Sequence, residues 1–203
     1  MTDTGNIAAL ILAAGRSTRM GTFKPLLPMK GSTVIGQVID NTRAAGIKEI
    51  LVVAGYRAET LIPVLRKTGV DWVVNPAYQQ EMFSSIKIGV DYLSNTIRAF
   101  FLLPGDMPFV RPRTFKKLLA AFDPEEMDLL KPTYRDKSGH PVLISSDKFP
   151  AIKSFVETGG LRTLIRKQSW RTVKLECDDP GILTDLDNPQ DYEAVSALAK
   201  PDV

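Results

Sequence analysis

The sequence predicts an α/β protein in which a mostly parallel sheet carries helices on both of its faces. Continuous apolar runs, typical of strands that are buried on both faces, alternate along the chain with helix-like stretches. This alternation favours parallel strands joined by helical crossovers. The chain has 203 residues and shows neither an internal repeat nor a linker, so we expect a single domain over residues 1–203.

The first predicted strand, residues 7–14, is a continuous apolar run after which Gly15 and polar residues follow. Similar runs predict further strands at residues 50–54, 72–74 and 100–103. Helices are predicted at residues 34–45, 59–66, 84–93, 114–122 and 190–199. Pro112 suits the start of the fourth helix, and Asn188-Pro189 suits the start of the last. The less regular segment 131–144 is expected to contain an antiparallel excursion.

Composition excludes several classes of protein and of site. The net charge of +3 is too small to favour nucleic acid as a partner. The single cysteine, Cys177, excludes an intrachain disulfide and a cysteine-rich metal cluster, and the single histidine, His140, excludes a multi-histidine metal site. The early apolar run is far shorter than the ~20 residues of a membrane-spanning helix and follows no basic segment. We therefore expect a cytoplasmic protein that acts on neither membranes nor nucleic acids.

A glycine-containing loop follows the first predicted strand. Its small residues let the backbone approach a ligand closely, and backbone N–H groups in such a loop cradle phosphate oxygens. Three cations within nine positions suit a polyphosphate, although a solvated basic loop is the alternative interpretation. The residues predicted to bind the phosphates are Leu12, Ala13, Ala14, Gly15, Arg16, Ser17, Arg19 and Lys24.

Neither of the two standard glycine motifs is present in this loop. A Walker A loop has four residues between its glycines and a lysine directly after the second, whereas five residues separate Gly15 from Gly21 and Thr22 follows. The dinucleotide-binding pattern GxGxxG is absent as well. These absences disfavour a kinase of the P-loop type and a nicotinamide-dependent dehydrogenase.

Two groups of carboxylates follow apolar runs. Asp106 comes directly after Gly105 at the end of the fourth predicted strand, where parallel α/β sheets bind their ligands. Asp185 and Asp187 alternate around Leu186, which places both carboxylates on one face of an extended segment. Carboxylate oxygens are the ligands that Mg²⁺ prefers, so these residues are candidate metal ligands. Asp in a turn or at a helix cap is the structural alternative.

Four segments in order resemble the motifs of the MobA-like nucleotidyltransferases, and together they span nearly the whole chain. They are LAAGRSTRMGTFKPLLPMKG at residues 12–31, LLPGDMPFV at 102–110, SGHPVLI at 138–144 and LTDLDNPQDY at 183–192. The resemblance implies a Rossmann-like fold of the nucleotide-diphospho-sugar transferase type. It also implies transfer of a nucleoside monophosphate from a nucleoside triphosphate to a phosphorylated acceptor.

Within this family the sequence is most similar to the molybdenum cofactor cytidylyltransferases. The guanylyltransferase branch usually has LAGG where this chain has LAAG, and the methyl group of Ala14 fills space that a purine needs, which favours CTP. The resemblance implies molybdenum-bound molybdopterin as the acceptor, Mg²⁺ as the cofactor, pyrophosphate as the second product, and contact with a molybdoenzyme or maturation factor. The alternatives are a guanylyltransferase, a sugar-phosphate nucleotidyltransferase and a non-catalytic nucleotide or cofactor carrier.

The resemblance also implies roles for individual residues. Arg19 and the backbone around Gly15 would hold the β- and γ-phosphates, and Lys24 would hold the α-phosphate. Asp106 and Asp187 would bind Mg²⁺, with Asp185 as a further candidate. Base, ribose and phosphate contacts are implied for Asn75, Ser84, Ser85 and Gly105, although Glu81-Met82-Phe83 departs from the Gly-Met that usually precedes the serines. His140 would lie near the acceptor, and Ser84 is equally explained as a helix N-cap.

Overall fold

The computed structural model describes residues 6–16, 20–29, 31–186 and 192, and the structural statements below refer to these residues. Its strands are β1 (Ile7–Ala13), β2 (Pro28–Met29), β3 (Ser32–Thr33), β4 (Glu49–Ala54), β5 (Asp71–Val74), β6 (Ala99–Pro104), β7 (Leu129–Tyr134), β8 (Lys137–Ser138), β9 (Val142–Ser145) and β10 (Thr172–Glu176). Its helices are α1 (Val34–Ala44), α2 (Ala58–Thr68), α3 (Met82–Tyr92), α4 (Pro112–Ala121), α5 (Phe149–Ser154) and α6 (Gly160–Lys167). Within these ranges no helix combines the length and the apolar character that crossing a bilayer requires.

The main sheet has the strand order β10-β7-β9-β6-β1-β4-β5, with β8 paired to β7. Strand β1 lies between β4 and β6 and is parallel to both. Its register pairs Leu12 with Pro104 and Ala13 with Ala54, so the carboxyl ends of the three strands meet at one edge of the sheet. This is the edge at which open α/β sheets bind ligands.

Helices cover both faces of the sheet, as predicted. Alternate residues of β1 face opposite layers: Ala9 and Ile11 pack with the helices α1, α2 and α4, whereas Ala8 and Leu10 pack with α3, α5 and α6. Burial on both faces explains why this strand is a continuous apolar run rather than an alternating one. The sequence-based α/β prediction is therefore confirmed.

The antiparallel excursion predicted for residues 131–144 is also present. Strand β9 lies between β6 and β7 and runs antiparallel to both, while the edge strand β10 is parallel to β7. Because β9 is reversed, its first residue rather than its last lies at the ligand edge: Val142 pairs with Leu102 near the end of β6. The segment before β9 therefore reaches the same edge as the segment after β6.

Several predicted boundaries need correction. Helix α3 begins at Met82, so Ser84 lies inside its first turn and is not the N-cap, which is Glu81. The elements α5, α6 and β10 were absent from the prediction. The helix predicted at residues 190–199 lies outside the described residues, apart from Tyr192.

A buried carboxylate, Asp179, holds the start of the turn Pro180–Leu183 against α4. Asp179 is 1% exposed and accepts hydrogen bonds from the backbone N–H of Arg111 at 2.9 Å, from the Thr114 hydroxyl at 2.6 Å and from the backbone N–H of Gly181 at 3.0 Å. It thus accepts hydrogen bonds at the start of α4, where the backbone N–H groups have no acceptor within the helix itself. The turn Pro180–Leu183 that follows is held in place by these bonds.

A second buried carboxylate, Asp128, makes the free energy of unfolding depend on pH. Burial alone would raise the pKa of Asp128, but hydrogen bonds from the side chain and backbone of Arg171 and from Lys148 lower it from 3.8 to about 2. A carboxyl group with a depressed pKa stabilises the fold above its unfolded pKa and loses this contribution as pH falls through the folded value. We expect Asp128→Asn to cost on the order of 1–2 kcal/mol in unfolding free energy at pH 7.

The measurement is urea unfolding of the wild type and Asp128→Asn between pH 7 and pH 2. The difference between the two proteins should shrink from about pH 4 downward and be small near pH 2. Asp136→Asn is the matched control, since Asp136 is exposed in a turn. A difference that stays constant down to pH 2 would show that the charge of Asp128 contributes nothing.

Candidate active site

A cleft of about 400 Å³ opens at the carboxyl ends of β1 and β6. Nine of its lining residues are among the predicted site residues, namely Leu12, Ala13, Ala14, Gly15, Lys24, Ser85, Gly105, Asp106 and Asp185. Five others complete the lining, namely Pro25, Tyr78, Gln80, Met82 and Pro104. The fold therefore brings together most of the residues that the sequence motifs suggested. Ser17, Arg19 and Asp187 lie outside the described residues.

Short backbone contacts position the loop after β1. The carbonyl of Leu12 accepts from the N–H of Gly105 at 2.8 Å, and the carbonyl of Ala14 accepts from the N–H of Tyr56 at 3.1 Å. A side chain at Gly105 would place its Cβ 3.1 Å from the Leu12 carbonyl oxygen. Beyond these contacts the loop is open, because a Cβ at Gly15 would meet nothing within 4 Å. The backbone at Gly15 is thus accessible to a ligand in the cleft.

An ion pair joins the two sides of the cleft. Lys24 begins the short turn Lys24–Leu26 and is 7% exposed, and its Nζ lies 3.0 Å from Oδ2 of Asp106. Asp106 follows β6, and a quarter of its side chain is exposed to the cleft. A cation and a carboxylate that meet in a cleft are suited to a ligand that carries both phosphate charge and a metal ion.

Asp185 reaches the same cleft from the far end of the chain. The next residue, Leu186, is fully buried beside Met29 and Val34, and its N–H donates to the backbone carbonyl of Asp106 at 3.1 Å. The preceding turn is held equally closely, since a Cβ at Gly139 would come within 2.1 Å of the Ile182 carbonyl oxygen. These contacts fix Asp185 relative to Asp106.

The carboxylates of Asp106 and Asp185 fit a hard divalent cation. Both line the cleft next to the candidate phosphate loop, and Mg²⁺ is usually bound in proteins by one or two carboxylates together with substrate phosphates and water. Across the described ranges, no group of three or more His, Cys, Asp or Glu side chains is arranged to hold a metal by itself. The donor set therefore suits an ion that arrives with a phosphorylated ligand.

Asn75 lies behind the lining rather than in it. It is fully buried; its amide group donates to the hydroxyls of Ser84 and Ser85 at 2.9 Å each, and its Oδ1 accepts from the N–H of Ala77 at 2.8 Å. Of the two serines, only Ser85 lines the cleft. In this structure Asn75 positions Ser85 instead of reaching the cleft itself.

His140 lies shortly before β9 and beside the end of β6. Its ring Nδ1 is 3.3 Å from the carbonyl oxygen of Leu102, and its backbone N–H donates to the carbonyl of Ile182 at 2.9 Å. Burial lowers the pKa of His140 and Lys131 adds to this effect, although the Leu102 carbonyl, Asp106 and Asp185 oppose it. The imidazole is therefore neutral near pH 7, which suits a hydrogen-bonding role.

Tyr78, Gln80 and Met82 were missed because nothing in the local sequence marks them. Tyr78 lies in a connected set of rings and cations: Arg16 lies 5.8 Å from its ring, and the Tyr56 ring lies 6.1 Å away. Met82 is 65% exposed at the start of α3.

Known proteins include relatives that align with nearly the whole chain. The molybdenum cofactor cytidylyltransferase of Escherichia coli (strain K12) is 28% identical over 187 residues, covering 92% of this chain and 93% of that protein. The nicotine blue oxidoreductase of Paenarthrobacter nicotinovorans is 26% identical over 193 residues, covering 92% of this chain and 94% of that protein.

Among solved structures, that of Rv0371c from Mycobacterium tuberculosis H37Rv has a TM-score of 0.81 at 27% identity, covering 94% of this chain and 97% of that one. A complex of the same protein with manganese has a TM-score of 0.76 at 26% identity, with the same coverages. A family model described as a MobA-like NTP transferase domain matches residues 9–173. The resemblance seen in the sequence is confirmed, and this chain belongs to the MobA-like NTP transferase family.

Proposed function

We propose that this protein is a magnesium-dependent cytidylyltransferase that transfers CMP from CTP to molybdenum-bound molybdopterin and releases pyrophosphate. The observation that carries the proposal is the meeting of Lys24 and Asp106 at 3.0 Å in a cleft that the loop after β1 and Asp185 also line. The similarity to a cytidylyltransferase over nearly the whole chain supports this choice of nucleotide and acceptor. A cytoplasmic location and contact with a molybdoenzyme or maturation factor follow from it.

In the proposed reaction an oxygen of the acceptor phosphate attacks the α-phosphorus of CTP. A new phosphorus–oxygen bond forms, the bond from the α-phosphorus to the bridging oxygen breaks, and pyrophosphate leaves with the electron pair. Since two anions must approach each other, the protein acts mainly by positioning the reactants and neutralising their charge. The acceptor phosphate is already ionised near neutral pH, so no general base is required.

Each side chain has a separate task in this scheme. Backbone N–H groups around Gly15, together with Arg19, hold the β- and γ-phosphates. Lys24 exchanges its contact with Asp106 for the α-phosphate and stabilises the charge that develops there. Asp106 and Asp187, with Asp185 as a further candidate, would hold Mg²⁺, which would supply positive charge to the phosphates. Asn75 keeps the Ser85 hydroxyl directed toward the ribose and base.

The first test is thermal unfolding with Mg²⁺ and CTP, GTP, ATP, UTP or NADPH in turn. A ligand at 100 times its dissociation constant stabilises a protein by about 2.7 kcal/mol, so a CTP-selective rise in melting temperature is expected. A GTP-selective rise would favour the guanylyltransferase alternative and contradict the interpretation of Ala14. Stabilisation by NADPH alone would contradict nucleotidyl transfer and favour an oxidoreductase.

Pyrophosphate release then identifies the acceptor. With Mg²⁺ and CTP, release is expected on addition of molybdenum-bound molybdopterin and not with glucose 1-phosphate. Release with glucose 1-phosphate but not with molybdenum-bound molybdopterin would show that the acceptor is a sugar phosphate. Nucleotide binding without release of pyrophosphate in the presence of any acceptor would indicate a carrier protein.

A further inference from the structure

Three cations lie together on the sheet face that α6 covers, and they form what is here named the basic triad. Lys131 of β7 and Lys174 of the edge strand β10 are register partners on adjacent parallel strands, so their side chains leave the same face of the sheet. Arg162 lies on α6, which packs through Leu164 on the same apolar layer as Leu129, two residues before Lys131. Like charges directly opposite each other on neighbouring strands destabilise a sheet.

No carboxylate among the described residues compensates this charge, because none lies within ion-pair distance of any member of the basic triad. Glu176, two residues after Lys174, is engaged elsewhere: its carboxylate accepts from the Thr133 hydroxyl at 2.7 Å and from the N–H of Arg135 at 3.0 Å. Lys131 is half-buried, and burial lowers the pKa of its ammonium group, with Arg162 and Lys174 adding to the effect. In the ligand-free protein the basic triad is therefore an energetic cost.

The basic triad lies on the β9 side of β6, the strand that ends at the cleft. Only β9 separates β7 from β6, so Lys131 lies about two strand spacings, or roughly 10 Å, from the strand that ends at the candidate metal site. His140 lies within electrostatic range of Lys131 as well as of Asp106 and Asp185. The start of α6 packs against Phe83, next to Met82 on the rim of the cleft.

We propose that Lys131, Arg162 and Lys174 bind a second anionic group of the acceptor, separate from its reacting phosphate. This inference rests on the proposed function, in which a phosphorylated acceptor enters beside Asp106. It specifies an acceptor with two anionic groups, a phosphate that reacts and an oxyanion that anchors the molecule. In molybdenum-bound molybdopterin the second group is the metal with its oxygen ligands.

The test measures oxyanion binding while the nucleotide site is filled. Wild type is saturated with Mg²⁺ and α,β-methylene-CTP and titrated with molybdate, a tetrahedral dianion, by calorimetry, and the same is done for Lys131→Met and Lys174→Met. We expect each substitution to raise the dissociation constant for molybdate about ten- to a hundredfold, because a charge-assisted contact is lost. Lys116→Met is the matched control, since this exposed lysine lies on α4 on the opposite face of the sheet.

Stability separates a binding role from a structural one. Removing one of three mutually repelling cations should leave the melting temperature of the ligand-free protein unchanged or raise it, and CTP binding should not change. If Lys131→Met does not fold, Lys174→Met and Arg162→Gln test the inference instead, because Lys174 and Arg162 are exposed. Equal molybdate affinity in wild type and variants, no molybdate binding by wild type, or weaker binding in Lys116→Met as well would overturn the inference.

The outcomes for the two proposals are distinct. If molybdenum-bound molybdopterin is not a substrate but molybdate binding still weakens in the Lys131 and Lys174 variants, the proposed acceptor is wrong and the oxyanion site stands. If molybdopterin is a substrate, both variants should raise its KM about ten- to a hundredfold with kcat little changed. An unchanged KM would show that the basic triad does not bind the acceptor, and the cytidylyltransferase proposal would still stand.

Discussion

Lys24→Ala is expected to lower the turnover of nucleotidyl transfer by about 10²- to 10³-fold, the usual cost of losing one preorganised charge donor. Lys24 is 7% exposed and therefore held in place, so under the proposed function its ammonium group would meet the α-phosphate already positioned. The fold should survive, because the partner Asp106 is partly exposed and remains solvated when the ammonium group is gone. Single-turnover kinetics with CTP and acceptor measure the effect on the chemical step.

Lys67→Ala is the matched control for this substitution, since Lys67 is an exposed lysine in the last turn of α2, away from the lining of the cleft. The control should retain wild-type turnover, and both variants should unfold cooperatively. If Lys24→Ala turns over CTP at nearly the wild-type rate, Lys24 has no part in the mechanism. A loss confined to KM would instead mean that Lys24 binds the ground state and the transition state equally.

Asp106→Asn is expected to remove most of the Mg²⁺-dependent turnover, by at least about 10²-fold at saturating CTP. The amide retains the shape of the side chain, and the backbone carbonyl that accepts from Leu186 is untouched, so the position of Asp185 is preserved. A neutral amide oxygen is a much poorer Mg²⁺ ligand than a carboxylate. Turnover measured as a function of Mg²⁺ concentration should show a higher apparent dissociation constant for the metal together with a lower maximum.

A double variant tests whether Lys24 and Asp106 act as a unit. Because the two side chains are in direct contact, the combined loss in Lys24→Ala/Asp106→Asn should be smaller than the product of the two single losses. Asp91→Asn, on the exposed face of α3, is the charge-matched control for Asp106→Asn. Undiminished Mg²⁺-dependent turnover in Asp106→Asn would remove Asp106 from the metal site.

The central part of the fold was predictable because its physical signal is local. The strands β1, β4 and β6 are buried among helices and therefore appear as apolar runs, and the edge strand β5 contains the short apolar run 72–74. These runs place the ends of the four strands within one or two residues. The loop after β1 and Asp106 follow such runs directly, so the sequence indicates where they lie. The agreement between predicted and observed lining residues rests on this rule.

The last third of the chain was harder to predict because its elements carry weaker patterns. Strand β10 is an edge strand that is exposed at four of its five residues, so it shows no apolar run. Asp128 and Asp179 look like ordinary turn residues in the sequence, but Asp128 accepts from Arg171, 43 residues away, and Asp179 accepts from Arg111 and Thr114, 68 and 65 residues away. Such long-range contacts leave no trace in local composition.

The misplaced start of α3 has a similar cause. Ser84 has the character of an N-cap, but its hydroxyl accepts from Asn75, nine residues earlier, and the helix begins two residues sooner. The same contact explains why Asn75 was expected in the cleft and lies beneath it. A polar residue between a strand and a helix is equally consistent with contacting a ligand or with orienting another side chain that does.

The order of strands divides the main sheet into two blocks that come from separate parts of the chain. Strands β1, β4, β5 and β6 come from the first 104 residues and form one contiguous parallel block, whereas β9, β7 and β10 are added only beyond β6. Each block has its own neighbours in the sheet, and among the described strands the two meet only where β9 pairs with β6. Substitutions in β7 and β10 can therefore change the far side of the sheet while β1, β4 and β5 keep their packing.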